Sequence, residues 1–189
     1  MPEIVWGLSE KWNLGLHFPL SYDPATKSAK LDGAKVRLHY LNVNEHSPDS
    51  ATFYGVNYEV SAYNKRITES RYNAELRGII GARKGNWKFS VNPILTKALS
   101  NNPNGKPLEF EIFGQALRSF GEDFAAGIEH YASLGRLRNP TFGSQSEQST
   151  YLVMDFKTKN YFDIHLGVGH GWTSPTDKRV FKALIGIPF

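Results

Sequence analysis

Apolar and polar residues alternate along most of this chain, over runs longer than ordinary globular strands. In 53–64, Tyr54, Val56, Tyr58, Val60 and Ala62 share one face and Gly55, Asn57, Glu59 and Ser61 the other. Strand side chains repeat every second residue, so this is a strand with one apolar face. The stretch 180–189 ends the chain in the same way, with Phe181, Ala183, Ile185, Ile187 and Phe189 on one side. Alternation also marks 4–8, 12–22, 34–41, 72–83, 87–95, 108–117, 124–132, 149–158 and 162–172, and helical period is almost absent. That predicts about eleven strands in one domain over 1–189. Many run to about 9–11 residues, the length that crosses a bilayer core when tilted, against about five or six in globular sheets.

Bulk properties leave a membrane sheet open. No apolar run is long enough for a transmembrane helix, and the mean hydropathy is −0.41. A membrane barrel has such an average because half its strand residues face a polar interior. The net charge of +4 is spread through the chain with no basic stripe, so no nucleic-acid partner is expected. Without Cys there is no disulfide framework, thiolate nucleophile or Cys-ligated metal.

Connection lengths and aromatic positions sharpen the expectation. Tight links at 9–11, 84–86, 119–122 and near 159 alternate with long ones at 23–33, 64–71, 96–107, 133–148 and 173–178. The segment 42–52 reads as a long loop where a short turn belongs. Outer-membrane barrels pair short periplasmic turns with longer outside loops. Trp12, Trp87, Phe124 and Phe162 each follow a tight turn on the apolar face, and Phe189 falls at the same height. Five outward rings at one level describe a membrane-interface girdle. The fold class expected is therefore all-β, an antiparallel up-and-down transmembrane β-barrel. Closed barrels of this kind have even strand counts, so about twelve strands are expected when complete. The chain begins without a signal peptide, and an upstream strand is expected to be missing.

Several segments carry a resemblance. The closing Leu-Ile-Gly-Ile-Pro-Phe resembles the terminal aromatic signal of Gram-negative outer-membrane β-barrel proteins. The pieces 72–77, 92–95, 127–131, 146–148 and 167–171 resemble a poorly characterised proteobacterial family of such barrels, described as signal-peptide or transporter-like proteins. A looser similarity runs to barrels associated with phenol degradation. The resemblance implies a bacterial outer-membrane location, contact with outer-membrane lipid, and recognition of Phe189 by the barrel assembly machinery. It implies no reaction.

The polar faces hold the candidate site residues: Arg37, Glu59, Glu75, Arg77, Lys88, Glu109, Glu111, Glu129, Asp155, Asp163 and His165, with Lys35, His39 and Lys182 beside them. Such a lining is either a ring of fixed charge that selects solutes or a set of ion pairs that fills a narrow interior. On the second reading, Glu75, Glu109, Glu111 and Glu129 neutralise Arg37, Arg77 and Lys88. Glu109 and Glu111 share a face as an acid/base pair would, but they sit in a charged wall. No nucleophile elbow occurs, and His165 and His170 face opposite sides of one strand, so neither catalysis nor a metal or other cofactor is expected. Gly167, Gly169 and Gly171 point inward and predict close approach by an interior side chain or by the 133–148 segment. The function expected is a channel or transport component for small solutes. The alternatives are a soluble lipocalin-like carrier, with the opposite polarity, and a structural or adhesive barrel with no open pore.

Overall fold

The computed structural model describes residues 2–23, 27–66, 68, 70–100, 107–158 and 162–187. Thirteen strands form in chain order: β1 (Glu3–Gly7), β2 (Trp12–His17), β3 (Leu20–Asp23), β4 (Ser28–Leu31), β5 (Gly33–Ser47), β6 (Ser50–Tyr63), β7 (Tyr72–Lys84), β8 (Trp87–Ala98), β9 (Glu109–Ser119), β10 (Phe124–Arg136), β11 (Glu147–Lys157), β12 (Asp163–Gly171) and β13 (Val180–Gly186). Eleven of them make one antiparallel sheet in the order β1-β2-β5-β6-β7-β8-β9-β10-β11-β12-β13. Every strand pairs with its sequence neighbour, save that the β3–β4 hairpin is bypassed. Among the described residues the only helical segment is a single 3-10 turn at Gly143–Gln145.

The chain therefore zigzags. Strands β1, β5, β7, β9, β11 and β13 run toward one end, where the links 8–11, 48–49, 85–86 and 120–123 lie, and β2, β6, β8, β10 and β12 run toward the other, where the links 137–146 and 172–179 lie. Tight turns are possible where the residues permit them. Gly85 has φ +54 and Gly121 φ +93, in the left-handed region where glycine carries no steric penalty.

Three expectations need correction. The run 12–22 is not one strand. Pro19 has no N–H for the ladder, and past Phe18 the chain leaves the large sheet to build the β3–β4 hairpin, with Leu20 opposite Leu31 and Asp23 opposite Ser28. The segment 42–52 is not a loop. β5 and β6 stay paired down to Ser47 opposite Ser50, with a register shift between Glu45 and Ser47. The apolar/polar alternation breaks after Tyr40, where Asn42 and Asn44 fall at the positions that continue Val36, Leu38 and Tyr40, and Asn42 is buried while Val43 is exposed, which hid the strand. The run 87–95 extends further than its alternation indicates, and Pro93, although it has no N–H for the ladder, neither ends nor bulges β8. The strand continues to Ala98 because Pro93 lies beside Gly78, where any Cβ would sit 3.2 Å from the proline Cγ.

The sheet keeps its polar side in and its apolar side out. Tyr54, Val56, Tyr58 and Val60 are 51%, 36%, 49% and 37% exposed, while Asn57, Glu59 and Ser61 between them are buried. Glu129 is buried beside exposed Ile128, and Ser149 and Val153 are buried beside exposed Leu152. A small apolar floor of Ala51, Ile94, Phe113, Leu117 and Val153 is also buried.

Closure by hydrogen bonds is not reached among the described residues: the ladder stops at β1 and at β13. The sheet nevertheless curls far enough that both edges border one cleft of about 1160 Å³, with Ile4, Val5 and Trp6 on one side and Leu184 and Ile185 on the other. Both edges run toward the tight-turn end, so a direct pair between them would be parallel.

Close approach between β9 and β10 is set at Gly127, where a Cβ would fall 2.0 Å from the Ala116 carbonyl oxygen. Gly127→Ala should force these strands apart and cost about 1–3 kcal/mol, the range for overpacking, read as the shift in the urea unfolding curve followed by tryptophan fluorescence.

Candidate functional site

Two buried carboxylates organise the inner face. Glu59, 4% exposed, lies on β6 directly opposite Arg37 on β5. Its Oε2 accepts hydrogen bonds from Arg37 Nη2 at 2.8 Å and Nε at 3.1 Å, and its Oε1 from Lys35 Nζ at 2.8 Å. Lys35 and Arg37 can share this partner because residues two apart on a strand face the same way. The cluster extends to β1 and β2, where Glu3 Oε1 is 3.5 Å from Arg37 Nη1 and 3.0 Å from Nε2 of the fully buried His17. Burying a carboxylate is costly unless it is paired and hydrogen-bonded, and Glu59 has two cations.

Glu129 on β10, 3% exposed, is held differently. Gln115, its direct partner on β9, donates through Nε2 at 2.8 Å, and Tyr131 donates its hydroxyl at 3.0 Å. Its cation is Lys182, which comes from β13 and crosses β12 and β11 to reach it. Along that path the ammonium lies 5.4 Å from the Tyr131 ring centroid and 4.9 Å from that of Tyr151, cation–π distances. His165 Nε2 stands 3.8 Å from Glu129, while its Nδ1 is 2.5 Å from Asp155 Oδ1, its direct partner on β11.

The inward glycines of β12 make that reach possible. A Cβ at Gly167 would lie 2.8 Å from Lys182 Cε, and one at Gly169 would lie 2.3 Å from the Tyr151 ring. At Gly171 the neighbours are Thr176 and Asp177 of the loop before β13. Interior side chains do approach these positions, but the loop involved is 172–179 rather than 133–148.

Every polar-face residue named from the sequence falls on the inner side of the register: Arg37, Glu59, Glu75, Arg77, Lys88, Glu109, Glu111, Glu129, Asp155, Asp163 and His165. The expected pattern of neutralisation is different, however. Arg37 serves Glu59, and Arg77 pairs with Glu75 on its own strand at 3.0 Å. Lys88 stands 5.9 Å from the Phe53 ring centroid and takes no carboxylate among the described residues. Among the described residues Glu109, Glu111 and Asp163 form no ion pair. Lys182, Gln115, Tyr131 and Tyr151 complete the Glu129 cluster. Their inward parity was the only sequence signal available for them. No group of three or more His, Asp or Glu residues among the described residues could hold a metal ion.

The aromatic level is visible on the outer side of the tight-turn end. Trp12 packs on Tyr40 at 4.9 Å and Tyr40 faces Tyr54 at 6.5 Å. Trp87 stacks on Phe89 at 5.7 Å. Phe124 packs between Phe120 at 5.7 Å and Phe156 at 5.0 Å. Phe162 lies just before β12, its N–H donating to Thr158 Oγ1 at 3.0 Å. Phe189 lies outside the described residues.

The Glu129 cluster yields a paired test. Lys182→Ala leaves a buried carboxylate without its cation and should cost about 3–5 kcal/mol, whereas the double change Glu129→Leu with Lys182→Leu should cost far less. Equilibrium unfolding of the two variants measures the difference, and equal losses would show that the pair is not what the cluster depends on.

No known family model matches this chain, and it has no match among curated proteins or among solved structures.

Proposed function

We propose that this protein is an integral β-barrel of a bacterial outer membrane, acting as a channel or transport component for small solutes. The observation that carries the reading is the polarity of the sheet. The exposed face bears Tyr54, Tyr58, Ile80, Phe89, Leu152, Val168 and Phe181, while carboxylates and asparagines are buried on the other face. Water favours the reverse arrangement, and a soluble carrier needs its apolar residues inside. A bilayer favours this one, because lipid-facing and interior-facing residues alternate along each spanning strand. The aromatic level at the tight-turn end supports an interface there.

Transport is supported by the uneven charge of the inner face. Glu59 and Glu129 are locked to cations, while among the described residues Glu109, opposite Arg136, and Glu111 have no ion pair and share their region with the Glu75–Arg77 pair. Fixed charge lining a passage selects by sign, so cations are the favoured solutes. The opposing reading, a barrel with a structural role and no open pore, is favoured by the Lys182 side chain lying across the inner face.

Two measurements test the reading. Leu152→Arg, at a residue 69% exposed in mid-strand, should destabilise protein folded into phosphatidylcholine vesicles by about 2–4 kcal/mol if that face meets lipid. A change within about 0.5 kcal/mol, usual for a water-exposed surface position, would put the face in water and overturn the membrane assignment. In planar bilayers, the protein should conduct with a preference for cations that Glu109→Gln with Glu111→Gln reduces. Stable insertion without conductance would leave the structural reading.

A further inference from the structure

The outer face of β8–β13 is not uniformly convex. Near the tight-turn end it holds an apolar groove of about 1100 Å³, at the upper end of the volumes typical of small-molecule sites, about 300–1,000 Å³. The register explains the hollow. One row across the sheet runs Trp87, Arg118, Ala126, Met154, Leu166 and Ala183, and the next carries Ala116 beside Phe89 and Ile128. Small side chains at Ala116, Ala126 and Ala183 make a low floor. The rings of Trp87, Phe120 and Phe181 rise at its margins, and all three are exposed.

One charged group opens onto this groove from the outer face. Arg118 precedes the turn between β9 and β10, and its guanidinium carbon lies 5.8 Å from the Trp87 ring centroid and 5.2 Å from that of Phe120. Among the described residues it has no carboxylate partner. Stacking against rings engages the face of the guanidinium and leaves its in-plane N–H groups available, a fork that matches phosphate oxygens. Lys182, the other cation bordering the groove, directs its ammonium inward to Glu129. No acidic side chain lines the groove.

We propose that the groove binds one anionic diacyl phospholipid of the leaflet at the tight-turn end, its acyl chains over the alanine floor and its phosphate on Arg118. The proposal rests on the membrane assignment above and adds a defined lipid site to it. Charge complementarity selects this occupant. A protein partner covering so apolar a hollow would leave Arg118 without an anion, whereas a phosphodiester supplies one where the apolar wall ends.

The test uses the full chain folded in dodecyl maltoside, with heat-modifiable migration as the check on folding. Native mass spectrometry with dioleoyl phosphatidylglycerol and with dioleoyl phosphatidylcholine should show one phosphatidylglycerol retained, preferred by about tenfold, the scale of one charge-assisted contact. Arg118→Ala should remove the preference, Arg118→Lys should keep part of it, and Ala126→Phe should weaken retention of both lipids by raising the floor. Phosphatidylglycerol with brominated acyl chains should quench wild-type fluorescence more than that of Trp87→Phe, a reading that needs no Arg118 variant. Equal retention of the two lipids by folded wild type, or a preference unchanged in Arg118→Ala, overturns the lipid site and leaves the membrane assignment standing. Failure of the wild type both to show heat-modifiable migration and to enter vesicles overturns the two together.

Discussion

Burial of Glu59 and Glu129 is the constraint on which the rest of the structure depends. An isolated carboxylate in so dry a position would be strongly destabilising. Each is therefore surrounded by donors that the backbone must bring to it. For Glu59 the solution is local: the β5–β6 register sets Arg37 opposite and Lys35 one step along. For Glu129 it is distant, since the cation arrives from three strands away in the ladder. A flat sheet would hold β13 too far from β10, so the Lys182 contact and the curl of the sheet require each other.

The glycines of β12 follow from the same requirement. Lys182 and Tyr151 lie over Gly167 and Gly169, where a larger residue would meet them within 3 Å. The stripe is space left for side chains that must cross it. On the outside, small residues leave a hollow that nothing among the described residues fills. The difference is chemical. The inner stripe is spanned by groups with a buried charge to satisfy, while the outer floor of Ala116, Ala126 and Ala183 carries no such charge.

The inner face divides into two parts with different consequences. The Glu59 and Glu129 clusters are cross-linked by charge-assisted hydrogen bonds and hold neighbouring strands in register. In the region of Glu75, Glu109 and Glu111, Arg77 pairs with Glu75 on its own strand and Arg136 stands opposite Glu109 in the register. The two parts thus differ in how closely their charges are tied: tight pairing around Glu59 and Glu129, and among the described residues no ion pair at Glu109 or Glu111.

Alternation along the sequence was enough to determine which side of the sheet each residue occupies, because strand parity depends on nothing beyond the residue's own position. It also located the tight turns at 8–11, 85–86 and 120–123, but not the one at 48–49. It failed where the alternation breaks, at 41–47, and where Pro19 took a short hairpin out of the large sheet. Pairing was beyond it. Parity puts Glu129, Arg77 and Lys88 on one face but does not say which carboxylate meets which cation, since that depends on strand register, stagger and curl. Those are settled only when all eleven strands hydrogen-bond together, and this is why the contact of Lys182 with Glu129 and the outer groove emerged from the tertiary structure alone.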